Sequence, residues 1–193
     1  MCISHFSRIL VISSFFKSFI LLVDERAVVR LTGEKPEEEQ MGRLKELRKY
    51  VEQELNKMED AGKRNSAVAH LYGVSLAATM IARKRGLDAE LSSMAAMLHD
   101  LHAYKTGSYD DHAHKGAELA GRILRELKFA DEAETDIICS AIYHHDNKLV
   151  TDSLMDEVLK DADVIHHCMN DLSKPVKEKE QARFDKLCAE FGM

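Results

Sequence analysis

Hydrophobic residues recur at the helical spacing along most of the chain, with polar residues between them. In a first predicted helix they form one stripe: Leu44, Leu47, Val51, Leu55 and Met58. Six further helices are predicted over about Ser66–Arg85, from Asp88 to His99-Asp100, over about His112–Leu127, from Asp131, over about Ser153–Met169, and after Pro175. We find no alternating strand pattern and no internal repeat. The predicted fold class is therefore all-α, a compact bundle of about six to seven helices.

Small and polar residues predict where these helices begin and end. Ala61-Gly62 is expected to end the first helix, and Gly86 suits the C-terminal cap of the second. Asp88 and Asp131 suit N-terminal caps, because a short carboxylate can accept hydrogen bonds from free backbone N–H groups. The segment 101–111 contains Gly107 and several polar residues and is predicted to be a loop. In the fifth helix we expect four residues to face inward: Ile137, Ile138, Ala141 and Ile142.

The first forty residues differ from the rest. Ile9–Val23 is strongly apolar but is interrupted by three serines and Lys17, and a transmembrane helix needs roughly 20 apolar residues. No small-residue cleavage site of a signal peptide follows it. Three interpretations are open: an extra helix or strand, a poor targeting segment, or translation from a start upstream of the natural one. Thr32–Gln40 is predicted to be a linker and Met41 opens an amphipathic helix. We therefore expect an N-terminal extension over 1–40 and a helical domain over 41–193.

Composition narrows the function classes. The 193 residues carry a net charge of -6 and no basic block, so neither a nucleic-acid polymer nor a membrane surface is an expected partner. The four cysteines form no CxxC pair, which argues against a structural zinc finger and against a disulfide framework. We expect buried free thiols in a reducing compartment, and hence a cytoplasmic protein.

Candidate metal ligands follow the apolar run Met94–Leu98. The next two residues, His99 and Asp100, offer an imidazole and a carboxylate, which together can hold a divalent ion. Other such residues also adjoin apolar stripes on different predicted helices: His70, His112, His144, His145 and Asp163. Each of them alone is explained as readily by a core histidine, a helix cap or a charged surface. Their joint occurrence favours a metal site inside a helical bundle.

The order His…His-Asp…His…His…Asp resembles the HD-domain superfamily of metal-dependent phosphohydrolases. The resemblance covers about Met58 to Met169, and its matching stretches are 70–74, 95–101, 112–117, 141–146 and 160–163. It implies a helical bundle of the HD-domain type. It also implies that four residues hold one metal ion: His70, His99, Asp100 and Asp163.

The resemblance further implies that Asp100 bridges to a second ion. That ion would be held by His112 and by one or both of His144 and His145. His114 is the alternative to His112, and Asp161 is a weaker candidate than Asp163. Histidine and carboxylate ligands restrict the cofactor to one or two divalent transition-metal ions, with Fe or Mn favoured and Co, Ni or Zn also allowed.

The function implied is that of a phosphomonoesterase or phosphodiesterase acting on a nucleotide or another small phosphate ester through a metal-activated water. Asp100 would position that water. Lys105, in the predicted loop, would neutralise a substrate phosphate or be merely solvated. No Gly-Tyr-Pro element follows Lys148, which departs from the cyclic-dinucleotide phosphodiesterases. Length and motif order resemble the small bacterial diadenosine tetraphosphate hydrolases, which carry His-Thr where this chain has His145-Asp146.

Two alternatives belong to other function classes. Some HD-type proteins hold a di-iron centre and oxidise their substrates with oxygen, and a histidine-rich second site would suit iron. A non-enzymatic helical interaction module is the third hypothesis. It ranks last because scaffolding HD domains commonly lose ligands, whereas this chain retains a residue at every position of the pattern.

Overall fold

The computed structural model describes residues 37–193, with side chains from Gly42 onward, and the expected extension over 1–40 lies almost wholly outside this range. The described residues form eight helices and no strand, which confirms the all-α prediction. The helices are α1 (Glu37–Leu55), α2 (Ala61–Arg85), α3 (Ala89–Leu98), α4 (Leu101–Thr106), α5 (His112–Leu127), α6 (Glu132–His144), α7 (Leu154–Asn170) and α8 (Glu178–Phe191).

The predicted caps are present. Gly86 ends α2 with φ of 69°, a left-handed conformation that glycine adopts without strain. The carboxylate of Asp88 accepts from the N–H groups of residues 90 and 91 at 2.9 Å each. Asp131 forms a capping box with Glu134, and Ser153 begins α7 in the same way. These local hydrogen bonds explain why the boundaries after α2 and before α3, α6 and α7 could be predicted from sequence.

Three predictions about helix positions were wrong. The first helix ends at Leu55, and Ala61 and Gly62 begin α2, whose N-terminal cap is Asp60. The helix α1 also begins at Glu37, inside the segment predicted to be a linker. The predicted loop after Asp100 contains α4, because Leu101 is fully buried and provides an apolar anchor for one more helical turn.

The core lies mainly between α2, α3, α6 and α7. Its fully buried large side chains include Leu71, Met94, Leu98 and Ile142. Ile137, which we expected to face inward, is 39% exposed. At 100° per residue it lies about 90° from the centre of the face formed by residues 138, 141 and 142.

Three of the four cysteines lie in the described residues, and the expectation that these thiols are buried is correct for one of them. Cys139, Cys168 and Cys188 are free thiols, of which only Cys168 is buried. Leu187 anchors α8 to the core with 1% exposure. Within residues 37–193 no helix has both the length and the apolar character of a membrane span.

Candidate metal centre

The centre is built around the short break between α3 and α4. His99 is fully buried there, and Asp100 is 8% exposed. The backbone leaves helical geometry at Asp100, with φ of -105° and ψ of 5°. Helix α5 approaches this break so closely that a Cβ atom added to Gly116 would lie 2.8 Å from the carbonyl oxygen of His99. The break therefore places both side chains within the bundle, where α2, α5, α6 and α7 bring further ligand types.

Three other predicted ligands, His70, His99 and Asp163, meet on one side of Asp100. The Nε2 atom of His70, from α2, lies 3.1 Å from Nε2 of His99 and 3.5 Å from Oδ2 of Asp100. It also lies 3.5 Å from Oδ1 of Asp163, which comes from α7. Two imidazole nitrogens and two carboxylate oxygens thus converge, a donor set typical of a divalent transition-metal ion.

The other carboxylate oxygen of Asp100 faces a second pair of histidines. Its Oδ1 atom lies 3.6 Å from Nε2 of His112 and 3.5 Å from Nε2 of His145. These residues come from the start of α5 and the end of α6. Asp100 therefore directs one carboxylate oxygen at each group of histidines.

Three of these histidines are oriented by backbone carbonyl groups. Each Nδ1 atom of His99, His145 and His112 contacts the carbonyl oxygen three residues earlier. The acceptors belong to Ala96, Ile142 and Tyr109, at 2.7, 2.7 and 3.0 Å, respectively. An Nδ1–H that donates to a carbonyl leaves the Nε2 lone pair free, so each ring presents a ligand atom to the centre.

Two buried carboxylate oxygens without a partner indicate that the candidate ligands suit a cation. Oδ1 of Asp100 and Oδ1 of Asp163 are buried and have no hydrogen-bond partner. Leaving a buried carboxylate oxygen unpaired is costly. Both oxygens belong to the group of candidate ligands, and a divalent ion would satisfy them. The residues therefore fit the metal that the sequence predicts.

The electrostatics keep the ligands in their metal-binding protonation states. Burial, together with the neighbouring His145 and His70, lowers the pKa of His99 to about 3, so this ring is neutral. Burial alone would raise the pKa of Asp100, but contacts with His99, His145 and His70 hold that pKa well below its usual range. Neutral imidazole and ionised carboxylate are the forms that bind metal.

The structure adds three residues that the sequence did not single out. The buried ammonium group of Lys148 donates to Oδ2 of Asp163 at 2.6 Å. Nδ1 of His166 lies 3.0 Å from Nδ1 of His70, and Nε2 of His167 lies 3.3 Å from Oδ1 of Asp163. Residues 166 and 167 follow Asp163 by three and four positions, a spacing that places them on its helix face and could have revealed them. Nothing in the sequence marks Lys148.

Four sequence candidates lie elsewhere. His144 contacts Oδ2 of Asp156 at 3.2 Å, because it points about 100° away from His145 on the same helix. His114 contacts Asp111 at 2.6 Å and is half exposed. The ammonium group of Lys105 pairs with Glu54 rather than approaching the centre. Asp161 forms ion pairs at 2.6 Å with two arginines, Arg85 and Arg183. The structure thus brings together His112 rather than His114, His145 rather than His144, and Asp163 rather than Asp161.

The family model of the HD domain matches residues 67–167, just over half of the chain, and includes every residue of this centre. The chain belongs to the HD-domain family. A similar protein is "Putative phosphohydrolase YueE" of Bacillus subtilis (strain 168), 27% identical over 143 residues, which cover 63% of this chain and 81% of the relative. The match to the family model and the similarity to this relative confirm the prediction that the protein is a hydrolase of the HD superfamily.

A solved structure has the same fold. It is the crystal structure of a "predicted HD superfamily hydrolase" from an uncultured Thermotogales bacterium, with a TM-score of 0.53 and 22% sequence identity. The similarity covers 85% of this chain and 94% of that chain. It confirms that the predicted bundle is of the HD-domain type.

Proposed function

We propose that this protein is a metal-dependent phosphohydrolase that acts on a nucleotide or another small phosphate ester. The observation that carries the proposal is the position of Asp100. Its two carboxylate oxygens face two separate groups of histidines, and one of these oxygens is buried without a partner. A carboxylate with this surrounding is suited to hold two divalent ions side by side.

We assign the ligands from the distances. One ion would be held by four residues: His70, His99, Asp100 and Asp163. The second would be held by three: Asp100, His112 and His145. A set so rich in imidazole, completed by carboxylates, is compatible with Fe or Mn. When bound, such ions lower the pKa of bound water toward neutrality and polarise a phosphoryl oxygen.

A cavity beside the centre offers room for the substrate. Its volume is about 680 Å³, within the range of small-molecule sites, and His70 and Asp100 form part of its wall. Tyr104 and Tyr109 line the same cavity, with ring centroids 6.4 Å apart in an edge-to-face arrangement. The hydroxyl and ring groups of these tyrosines border the approach to the metal ligands. We infer that the phosphate ester binds there, with its phosphoryl group toward Asp100.

The protein residues keep the ligands in place during the reaction. The ammonium group of Lys148 donates a hydrogen bond to Oδ2 of Asp163, so that Oδ1 is directed toward the centre. The backbone carbonyl groups hold His99, His112 and His145 with Nε2 inward. Because these contacts are preformed, little reorganisation is needed when metal and substrate bind.

The test combines metal analysis with product analysis. We would purify the protein without chelators or a polyhistidine tag and measure metal per chain by elemental mass spectrometry. Phosphate release would then be followed with nucleoside monophosphates and simple phosphate esters. We expect close to two equivalents of metal and phosphate release in the wild type, and loss of both in Asp100→Asn. The matched control is Asp111→Asn, since Asp111 is about half exposed and its left-handed backbone tolerates asparagine.

Several outcomes would overturn the proposal. If Asp100→Asn released phosphate as fast as the wild type, Asp100 would not have the role on which the proposal rests, and the proposal would be wrong. Oxygen uptake with a substrate, without phosphate release, would favour the di-iron oxygenase hypothesis. Failure of the reconstituted protein to bind any divalent metal would favour the hypothesis of a non-enzymatic interaction module, which now ranks last.

A further inference from the structure

The ligand candidate His70 is oriented differently from the other histidines of the centre. His99, His112 and His145 lie at helix ends, where Nδ1 of each ring contacts the carbonyl oxygen three residues earlier. His70 lies in the interior of α2, where backbone carbonyl groups already accept helical hydrogen bonds. The partner of its Nδ1 atom is instead Nδ1 of His166, at 3.0 Å.

This contact restricts the tautomers of both rings. An imidazole that binds metal through Nε2 must carry its proton on Nδ1, and that proton needs an acceptor. For His70 the acceptor is Nδ1 of His166, which must then be unprotonated. A neutral His166 consequently carries its own proton on Nε2.

The packing of α2 against α7 is adapted to this contact. The rings of His70 and His166 meet edge to face, with centroids 4.7 Å apart and an interplanar angle of 82°. Gly73, one turn after His70, makes room for the second ring. A Cβ at this position would lie 2.2 Å from Cδ2 of His166 and 2.6 Å from its Nε2. A side chain here would therefore displace the ring that His70 contacts.

We propose that His166 is a positioning residue that holds His70 in the tautomer whose Nε2 lone pair faces the metal. The contact of 3.0 Å between Nδ1 of His70 and Nδ1 of His166 is the hydrogen bond that fixes this tautomer, and Gly73 provides the space for the second ring. This inference rests on the proposed function, because it assumes that His70 is a ligand. Outer partners of metal-bound histidines typically change metal affinity by about 10–100-fold when they are removed.

The first measurement is metal affinity, determined with Mn²⁺ by competition with a chelator. In His166→Leu the apolar side chain fills similar space but cannot accept a hydrogen bond, so we expect affinity to fall by about 10–100-fold. In His166→Asn the amide oxygen can take the place of Nδ1, and we expect most of the affinity to return. His114→Leu is the matched control, because His114 stacks on Tyr143 away from the centre.

The second measurement observes the tautomer itself. Nitrogen-15 NMR of the protein loaded with Zn²⁺ distinguishes a ring protonated on Nδ1 from one protonated on Nε2, and the metal separates Nε2 of His70 from Nε2 of His99, which lies 3.1 Å away. We expect the signal of a hydrogen-bonded Nδ1–H at His70 in the wild type and in His166→Asn, and its loss in His166→Leu. Gly73→Ala should produce the same loss by displacing His166, and it serves as a second variant if His166→Leu does not fold.

The outcomes separate this inference from the function on which it rests. If His70→Ala loses metal while His166→Leu and Gly73→Ala keep the wild-type affinity and tautomer, the positioning role of His166 is wrong and the proposed function stands. If His70→Ala binds metal as tightly as the wild type, the assignment of His70 as a ligand fails. Loss of affinity in His166→Leu that His166→Asn does not restore would indicate packing rather than hydrogen bonding, and would also overturn the inference.

Discussion

The ammonium group of Lys148 donates a 2.6 Å hydrogen bond to Oδ2 of Asp163, and both groups are buried. The same nitrogen donates to the carbonyl oxygen of His145 at 2.7 Å. One buried cation therefore contacts a candidate ligand of the first ion and the backbone of a candidate ligand of the second. Burial would raise the pKa of Asp163, but Lys148 and the nearby His99 hold that pKa below its usual range.

Replacing Lys148 by methionine should destabilise the metal-free protein strongly. The substitution removes the charge but keeps an unbranched side chain, so it leaves the Asp163 carboxylate buried without its cation. Breaking one side of a buried ion pair typically costs about 3–5 kcal/mol. The free energy of unfolding should fall by this order in urea titrations of chelator-treated protein. Bound metal should reduce the loss, because it compensates the same carboxylate.

Lys105→Met is the control for this experiment. Its ammonium group is about one-third exposed and pairs with Glu54 outside the centre. Glu54 is itself buried but keeps a second cation, Lys57, so the loss of Lys105 should cost less than the loss of Lys148. Equal destabilisation by the two substitutions would mean that the Lys148–Asp163 contact has no special role.

Neighbouring histidines should differ sharply in their effect on the second ion. Because Nε2 of His112 and of His145 face Oδ1 of Asp100, alanine at either position should lower the metal content from about two equivalents to one. Alanine in place of His114 or His144 should leave the metal content unchanged. Elemental analysis of the four purified variants checks this. If the His144 variant lost metal and the His145 variant did not, His144 rather than His145 would be the ligand in the metal-bound protein.

Gly116→Ala should destabilise the bundle at the centre. The added Cβ would lie 2.8 Å from the carbonyl oxygen of His99 and 3.4 Å from Cγ2 of Ile142, so α5 must move. Overpacking of this kind typically costs about 1–3 kcal/mol. Urea unfolding measures the loss. The matched control is Gly42→Ala in α1, where nothing lies within 4 Å and alanine should stabilise the helix by up to about 1 kcal/mol.

The metal-free protein should lose stability on acidification well above pH 4. The pKa of His99 is about 3 in the folded protein and 6.5 for an unperturbed histidine, so the unfolded chain binds more protons between these values. Stability therefore rises with pH across this window and falls as the pH is lowered through it, by up to about 1.4 kcal/mol per pH unit for this group. The lowered pKa values of Asp100 and Asp163 act in the same direction near the acid end of the window.

Urea midpoints of chelator-treated protein between pH 7.5 and 4.5 would measure this dependence. His99→Gln should make the curve shallower, because glutamine has no proton to gain in the unfolded state; part of the slope should remain, since burial also lowers the pKa of His166 to about 4. His114→Gln, at a half-exposed ring, should leave the curve close to that of the wild type. A flat wild-type curve would contradict the prediction.

The sequence alone was sufficient for features that depend on near neighbours. Helical periodicity follows from local geometry, and the caps at Gly86, Asp88 and Asp131 use hydrogen bonds within a few residues. The His-Asp pair and the order of ligand types were also visible, because each lies against an apolar stripe. Where one polar turn separates two helices, as at Ala61, or where one buried leucine extends a helix, as at Leu101, the local pattern was insufficient.

Only the tertiary structure decided which of several equivalent side chains meet. His112 and His114, or His144 and His145, are nearly indistinguishable in sequence, but about 100° of helical rotation separates adjacent residues and sends them to different partners. Lys148 and His166 gain their roles from contacts with Asp163 and His70, which lie 15 and 96 positions away. Contacts at such separations depend on how the helices pack, and that packing brings the two oxygens of Asp100 between two groups of histidines.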